Sequence, residues 1–117
     1  MSYHVTVLHN AYRRAMIDGA NIGDVFEQVF ETEVDAGSLR DAAQEMFDLT
    51  NNPARHAECV ARGYGTRRSI SVGDILVVRD PFGTAYLACA HMGWYLFLLV
   101  DKEDGPSSNG HVVEVAS

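Results

Sequence analysis

Residues 69–100 read SISVGDILVVRDPFGTAYLACAHMGWYLFLLV, and the fold turns on this stretch. β-branched and aromatic side chains crowd it, and turn formers interrupt it at short intervals. Ile70, Val72, Ile75, Leu76, Val77 and Val78 surround Gly73-Asp74, which predicts a turn or bulge feeding a strand. Asp80-Pro81-Phe82-Gly83 has the composition of a tight hairpin connection. Thr84 to His91 and Tyr95 to Val100 read as two further strands, broken at Gly93. After the loop Gly105 to Gly110, His111 to Val115 reads as a last short strand. From Ser69 onward the pattern is therefore β.

Toward the N-terminus the period changes. Tyr3 to His9 reads as a strand, with Val5 and Val7 on one face. Asn10 to Gly19 has the ends of a short helix, Asn10 as cap and Gly19 as stop. Asn21 is expected to cap a second helix. Its apolar stripe is Val25, Phe26, Val29 and Phe30, with Asp24, Glu27 and Glu31 on the other side. Ser38-x-x-Asp41 resembles a capping box, and Leu39, Ala42, Ala43, Met46 and Phe47 recur at helical spacing. That helix should end near Asn51-Asn52-Pro53, because proline restricts the residue before it. Ala54 to Arg62 suits another short helix, and Gly63-Tyr64-Gly65 must be flexible or turned. The sum is one α+β domain over residues 1–117: an N-terminal strand, two or three helices, then an antiparallel meander of about four strands. A small, partly open barrel curled from the C-terminal strands is the alternative.

At 117 residues, 47% hydrophobic and 21% charged, the chain has the size and composition of one globular domain. Cys59 and Cys89 make no disulfide framework, the opening residues do not read as a secretory leader, and Tyr95 to Val100 is too short to cross a bilayer. A cytoplasmic protein with no membrane partner is expected. The net charge of −7 is uneven, since residues 51–79 carry five arginines against Glu58 and Asp74 while both flanks are acidic. Such an acidic chain repels a phosphate backbone, so nucleic acid is not the expected partner.

Arg68-Ser-Ile-Ser-Val-Gly-Asp-Ile-Leu-Val-Val78, Ala85-Tyr86-Leu87 and Gly93-Trp94 carry a family resemblance, with Phe47-Asp-Leu-Thr-Asn51 closing the helix before them. Over residues 46–97 the chain resembles the YodL-like family and related small proteins of actinobacterial plasmids and phages. Gly-Trp at 93–94 departs from the commoner Gly-Phe. The resemblance implies a mobile-element accessory protein and no established activity, cofactor or catalytic residue. Read physically, the motif is structural: Gly73 can take positive φ, and Asp74, Ser69 or Ser71 can hold backbone amides in the turn.

Four sets of residues invite chemistry. His56-x-x-Cys59 with Cys89-x-His91 would suit tetrahedral zinc by ligand type, yet neither pair has Cys-x-x-Cys spacing. No metal or other cofactor is expected. Neither cysteine lies in a nucleophile signature, Ser69 and Ser71 lack the Gly-x-Ser-x-Gly elbow, and Gly63-x-Gly65 is no phosphate loop. No catalytic residue is named, and an enzyme is not the expected reading. Arg67 and Arg68 stand at a strand entrance beside a Gly/Tyr segment able to move, and guanidinium groups suit carboxylate or phosphate. Arg67, Arg68, Tyr64 and Trp94 are the binding candidates; the plainer reading is that the arginines neutralise the acidic helices of the same domain.

The expected function is a non-catalytic protein-interaction or regulatory module with an unidentified protein partner. The alternative is a nucleic-acid-linked module that uses arginines 55–79 on a PUA-like barrel. Because Tyr95 to Val100 is apolar on both faces, it needs cover on each side, and a homodimer is expected slightly ahead of a monomer.

Overall fold

The computed structural model describes residues 1–21, 24–65 and 67–101, with the backbone alone at 95 and 97–101. In chain order it contains strand β1 (Ser2–Asn10), helix α1 (Ala15–Asp18), strand β2 (Phe26–Asp35) and helix α2 (Leu39–Asn51). A 3-10 turn (Pro53–Arg55) leads into helix α3 (His56–Ala61), and strands β3 (Ile75–Asp80), β4 (Gly83–Ala90) and β5 (Gly93–Asp101) follow. The strands form one antiparallel sheet in the order β2-β1-β3-β4-β5. The domain is α+β, and among the described residues the sheet is not closed. The expected strand at 111–115 lies outside the described residues.

The helices cover one face. Ala42, Ala43, Met46 and Leu49 of α2 meet Tyr3, Val5, Val7, Val34, Leu76, Val78, Ala85 and Leu87 in the larger core. Ala42 and Ala43, two small neighbours, let the helix lie close to the strands. Ser38 caps α2 by accepting from the Asp41 amide at 3.1 Å. On the opposite face Leu8, Phe26, Ile75, Val77, Tyr86 and Ala88 form a second buried cluster. The sheet is thus buried on both faces along β1, β3 and β4. Phe97 and Leu99, whose burial the sequence predicts, have side chains outside the described residues.

The helix expected from Asn21 over Val25, Phe26, Val29 and Phe30 is strand β2. The apolar spacing has another cause. Val7 pairs with Phe30 and Leu8 with Gln28, so Val29 is an extra residue, a bulge. A bulge shifts the two-residue alternation by one. Phe30 therefore packs against Tyr64 on the helix side, with ring centroids 5.4 Å apart, while Phe26 joins the opposite cluster. Four-residue spacing here marks a phase change in a strand rather than one face of a helix.

The strand expected beyond the Gly73-Asp74 turn starts at Ile75, and residues 67–74 before it form a loop that plugs the core with Ile70. The end of α2 holds that loop: the Ile70 amide donates to Thr50 Oγ1 at 3.1 Å and Asn51 Nδ2 donates to the Ile70 carbonyl at 3.0 Å. Gly73 closes the loop with φ of +93°, and a Cβ there would lie 2.5 Å from the Ala15 Cβ and 2.6 Å from the Ala15 carbonyl oxygen. The short helix expected from Asn10 to Gly19 shrinks to α1, begun by Arg14 rather than Asn10.

Candidate functional site

The polar residues that the fold gathers lie where β1 ends, the β2 bulge opens, and the 67–74 loop crosses. Asp74 is fully buried and has four donors. Arg68 grips it with both terminal nitrogens at 2.7 Å, and the amides of Asn10 and Ser71 donate to its two oxygens at 2.8 Å each. Partners of this number offset the desolvation of a buried carboxylate. The pair also holds the Arg68 guanidinium above its ordinary pKa, chiefly through the Asp74 hydrogen bonds. The two motif residues expected to be structural, Gly73 and Asp74, therefore form the turn that anchors Arg68.

Asn10 extends the network. Its side chain donates to Asp24 Oδ2 at 2.8 Å and to the Gly73 carbonyl at 3.1 Å, and it accepts from the Tyr12 amide at 2.9 Å. Asp24, also buried, accepts in turn from Arg14 and from the Asn21 amide. Two buried acids and two arginines are thus joined through one asparagine. None of Asn10, Arg14 or Asp24 stood out as a site residue in the sequence. Their partners lie up to 64 residues away, so no local spacing reveals them.

Tyr64 is buried as well. Its hydroxyl donates to the Arg68 carbonyl and lies 2.9 Å from His9 Nε2. A phenol has one proton, so with that proton on the Arg68 carbonyl the hydroxyl can only accept from His9. Nε2 of His9 therefore carries the hydrogen. Burial, as the largest influence, pushes the His9 pKa down; Asp74 and Glu27 oppose it, and Arg68 and Arg67 reinforce it. The ring is neutral near pH 7, which leaves Nδ1 as a lone-pair acceptor. Desolvation raises the Tyr64 pKa, so the phenol keeps its proton.

Beside His9 a cleft of about 380 Å³ opens, lined by Asn10, Glu27, Gln28, Val29, Arg67 and Arg68 among others. Arg67 donates from Nη1 to the Tyr64 carbonyl at 2.9 Å and has no carboxylate partner among the described residues. Of the four binding candidates, Arg67, Arg68 and Tyr64 thus come together, Tyr64 from beneath. Trp94 lies apart. It is buried against Phe47 at a 6.3 Å centroid distance, with its indole nitrogen 3.4 Å from Gln44 Oε1. A smaller cleft of about 240 Å³ beside it is lined by Phe47, Cys89, His91 and Gly93 among others.

His56, Cys59, Cys89 and His91 do not gather: among the described residues no three His, Cys, Asp or Glu side chains are placed to share a metal ion. Burial pushes the Cys89 thiol up to about 11 and the Cys59 thiol up as well. Both are protonated at neutral pH, the wrong state for a ligand or nucleophile. His91 turns instead to the Ile17 carbonyl, 2.9 Å away. Among the described residues no helix is long and apolar enough to cross a membrane. Set beside known protein families, curated proteins and solved structures, the chain matches none of them.

Proposed function

We propose that this chain is a non-catalytic protein-interaction module that meets its partner at the end of the sheet where α1 approaches the β4–β5 turn. One observation carries the reading. Met92, 94% exposed, and Ile17, 75% exposed, stand on two segments joined by the His91 contact to the Ile17 carbonyl. Met16 and Tyr12 add further exposed apolar surface on the Ile17 side. Clustered large apolar side chains in water are unfavourable, and such patches mark contact surfaces. The patch has a firm base, since Ala15 of α1 abuts Gly73. The resemblance of residues 46–97 to YodL-like proteins adds the expectation of a mobile-element accessory role.

The nucleic-acid alternative draws on arginines 55–79, and three of these are held by the chain's own acids. Arg55 pairs with Glu45, Asp48 and Glu58, Arg62 with Glu58, and Arg68 with Asp74. That engagement favours the protein partner. The test is capture from native host extract by wild type and by an Ile17→Glu/Met92→Glu variant, each with and without nuclease. A prey that survives nuclease and is lost with the double variant supports the reading. Phe82→Glu, at the far end of β4, should retain it. Prey that disappears with nuclease, or that binds the double variant equally, refutes the reading.

A further inference from the structure

The cleft beside His9 carries a chemistry separate from that of the apolar patch. Its walls bear both signs of charge. Glu27 faces His9 directly across the β1–β2 ladder, and among the described residues its carboxylate has no hydrogen-bond or ion-pair partner. Arg67 is exposed and keeps most of its five donors open after the single bond to the Tyr64 carbonyl. These two line the same cleft without pairing with each other. Arg68 adds no open charge, because Asp74 takes both of its terminal nitrogens.

His9 lines the same cleft and is near enough to both charges to feel each of them. Its Nε2 is committed to Tyr64, and its Nδ1 has no hydrogen-bond partner among the described residues although it is not sealed from solvent. The bulge residue Val29 lines the cleft, and bulges are frequent beside binding sites. The volume falls at the lower end of the range for small-molecule sites. A plain anion at Arg67 would meet the Glu27 carboxylate, and a plain cation at Glu27 would meet Arg67. A ligand carrying both charges close together satisfies each wall.

We propose that this cleft binds an amino-acid zwitterion, with its carboxylate on Arg67 and its ammonium group between Glu27 and His9 Nδ1. Both contacts are charge-assisted hydrogen bonds, the stronger class. Nδ1 can accept from the ammonium only while the ring is neutral, the state that burial favours at His9.

The test is an NMR titration of the full chain, read on the His9 ring and the Arg67 side chain. The probes are L-alanine, alanine methyl ester, N-acetylalanine and inorganic phosphate. L-alanine should give a saturable shift with a Kd on the order of 1 mM or tighter. The ester lacks the carboxylate and the acetyl derivative lacks the ammonium, so each should bind roughly tenfold more weakly or worse. Arg67→Gln and Glu27→Gln, both at exposed positions, should weaken L-alanine to a similar degree with an unchanged melting curve. No saturable shift with L-alanine overturns the proposal. Binding of phosphate or N-acetylalanine as tight as that of L-alanine overturns it too, since the cleft would then be a simple anion site.

Discussion

Two arginines of this domain each hold carboxylates, and they do different work. Arg55 sits on the surface between α2 and α3 and reaches Glu45, Asp48 and Glu58 at 2.8–2.9 Å. Among carboxylates of the described residues Arg68 reaches only Asp74, with both nitrogens at 2.7 Å, but that carboxylate is fully buried and also receives two backbone amides. By number of partners the Arg55 cluster looks stronger. Solvent reverses the order, because water screens exposed pairs, whereas a buried acid without its partner keeps its full desolvation cost. The Arg55 cluster ties neighbouring helices together locally. The Arg68–Asp74 pair joins β1, the 67–74 loop and the start of β3, so it helps to fix the topology.

Removing Arg68 from its buried acid should break this contrast most sharply. Arg68→Ala leaves Asp74 buried with its two amide donors and no counter-charge, and the expected loss is about 3–5 kcal/mol in urea unfolding. A loss under about 1 kcal/mol would put the pair on a par with a surface bridge. Gly73→Val attacks the same turn through the backbone. The positive φ and the overlap with Ala15 together should cost about 3 kcal/mol, read as a lowered denaturation midpoint at constant slope. Arg55→Ala should cost up to about 1 kcal/mol, and raised salt should shrink the difference.

The smallest effect is read as a slope against pH. The folded pKa of His9 lies below its unfolded value, mainly through burial, so the unfolded chain binds the proton more readily. Its contribution is complete above the ordinary histidine pKa and declines as pH falls through that value toward the lowered one. Glu58, whose carboxyl Arg55 holds below its usual range, contributes above that range and declines in a more acid window. A His9→Gln variant should flatten the near-neutral slope and leave the acid limb intact. Identical profiles for variant and wild type would show that the ring is not desolvated.

Local chemistry made much of the fold legible. Ser38 announces α2, Asp80 holds the β3–β4 turn by accepting from the Phe82 and Gly83 amides, and Gly73 takes its positive φ in the predicted turn. In each case the deciding partners lie within a few residues. The site was legible only in part. Arg67, Arg68 and Tyr64 do converge, yet Arg68 turned out to be committed to an internal acid six residues on. His9 and Glu27, which complete the cleft, gave no signal, since the sequence pattern put Glu27 on a helix.

By itself, the sequence determined an α+β chain with one amphipathic helix, a β-rich C-terminal half and a glycine turn before its first strand there. Only the tertiary structure decided that residues 26–35 form an edge strand and that Asn10 bridges two buried acids. The physical reason is the reach of the interactions. Capping and turn hydrogen bonds close within one or two turns of chain, so composition encodes them directly. The identity of β2 depends on pairing with β1, and a single extra residue, Val29, gives that strand the apolar spacing of a helix. The Asn10–Asp74 bond likewise spans 64 residues, and it exists only once the sheet has formed.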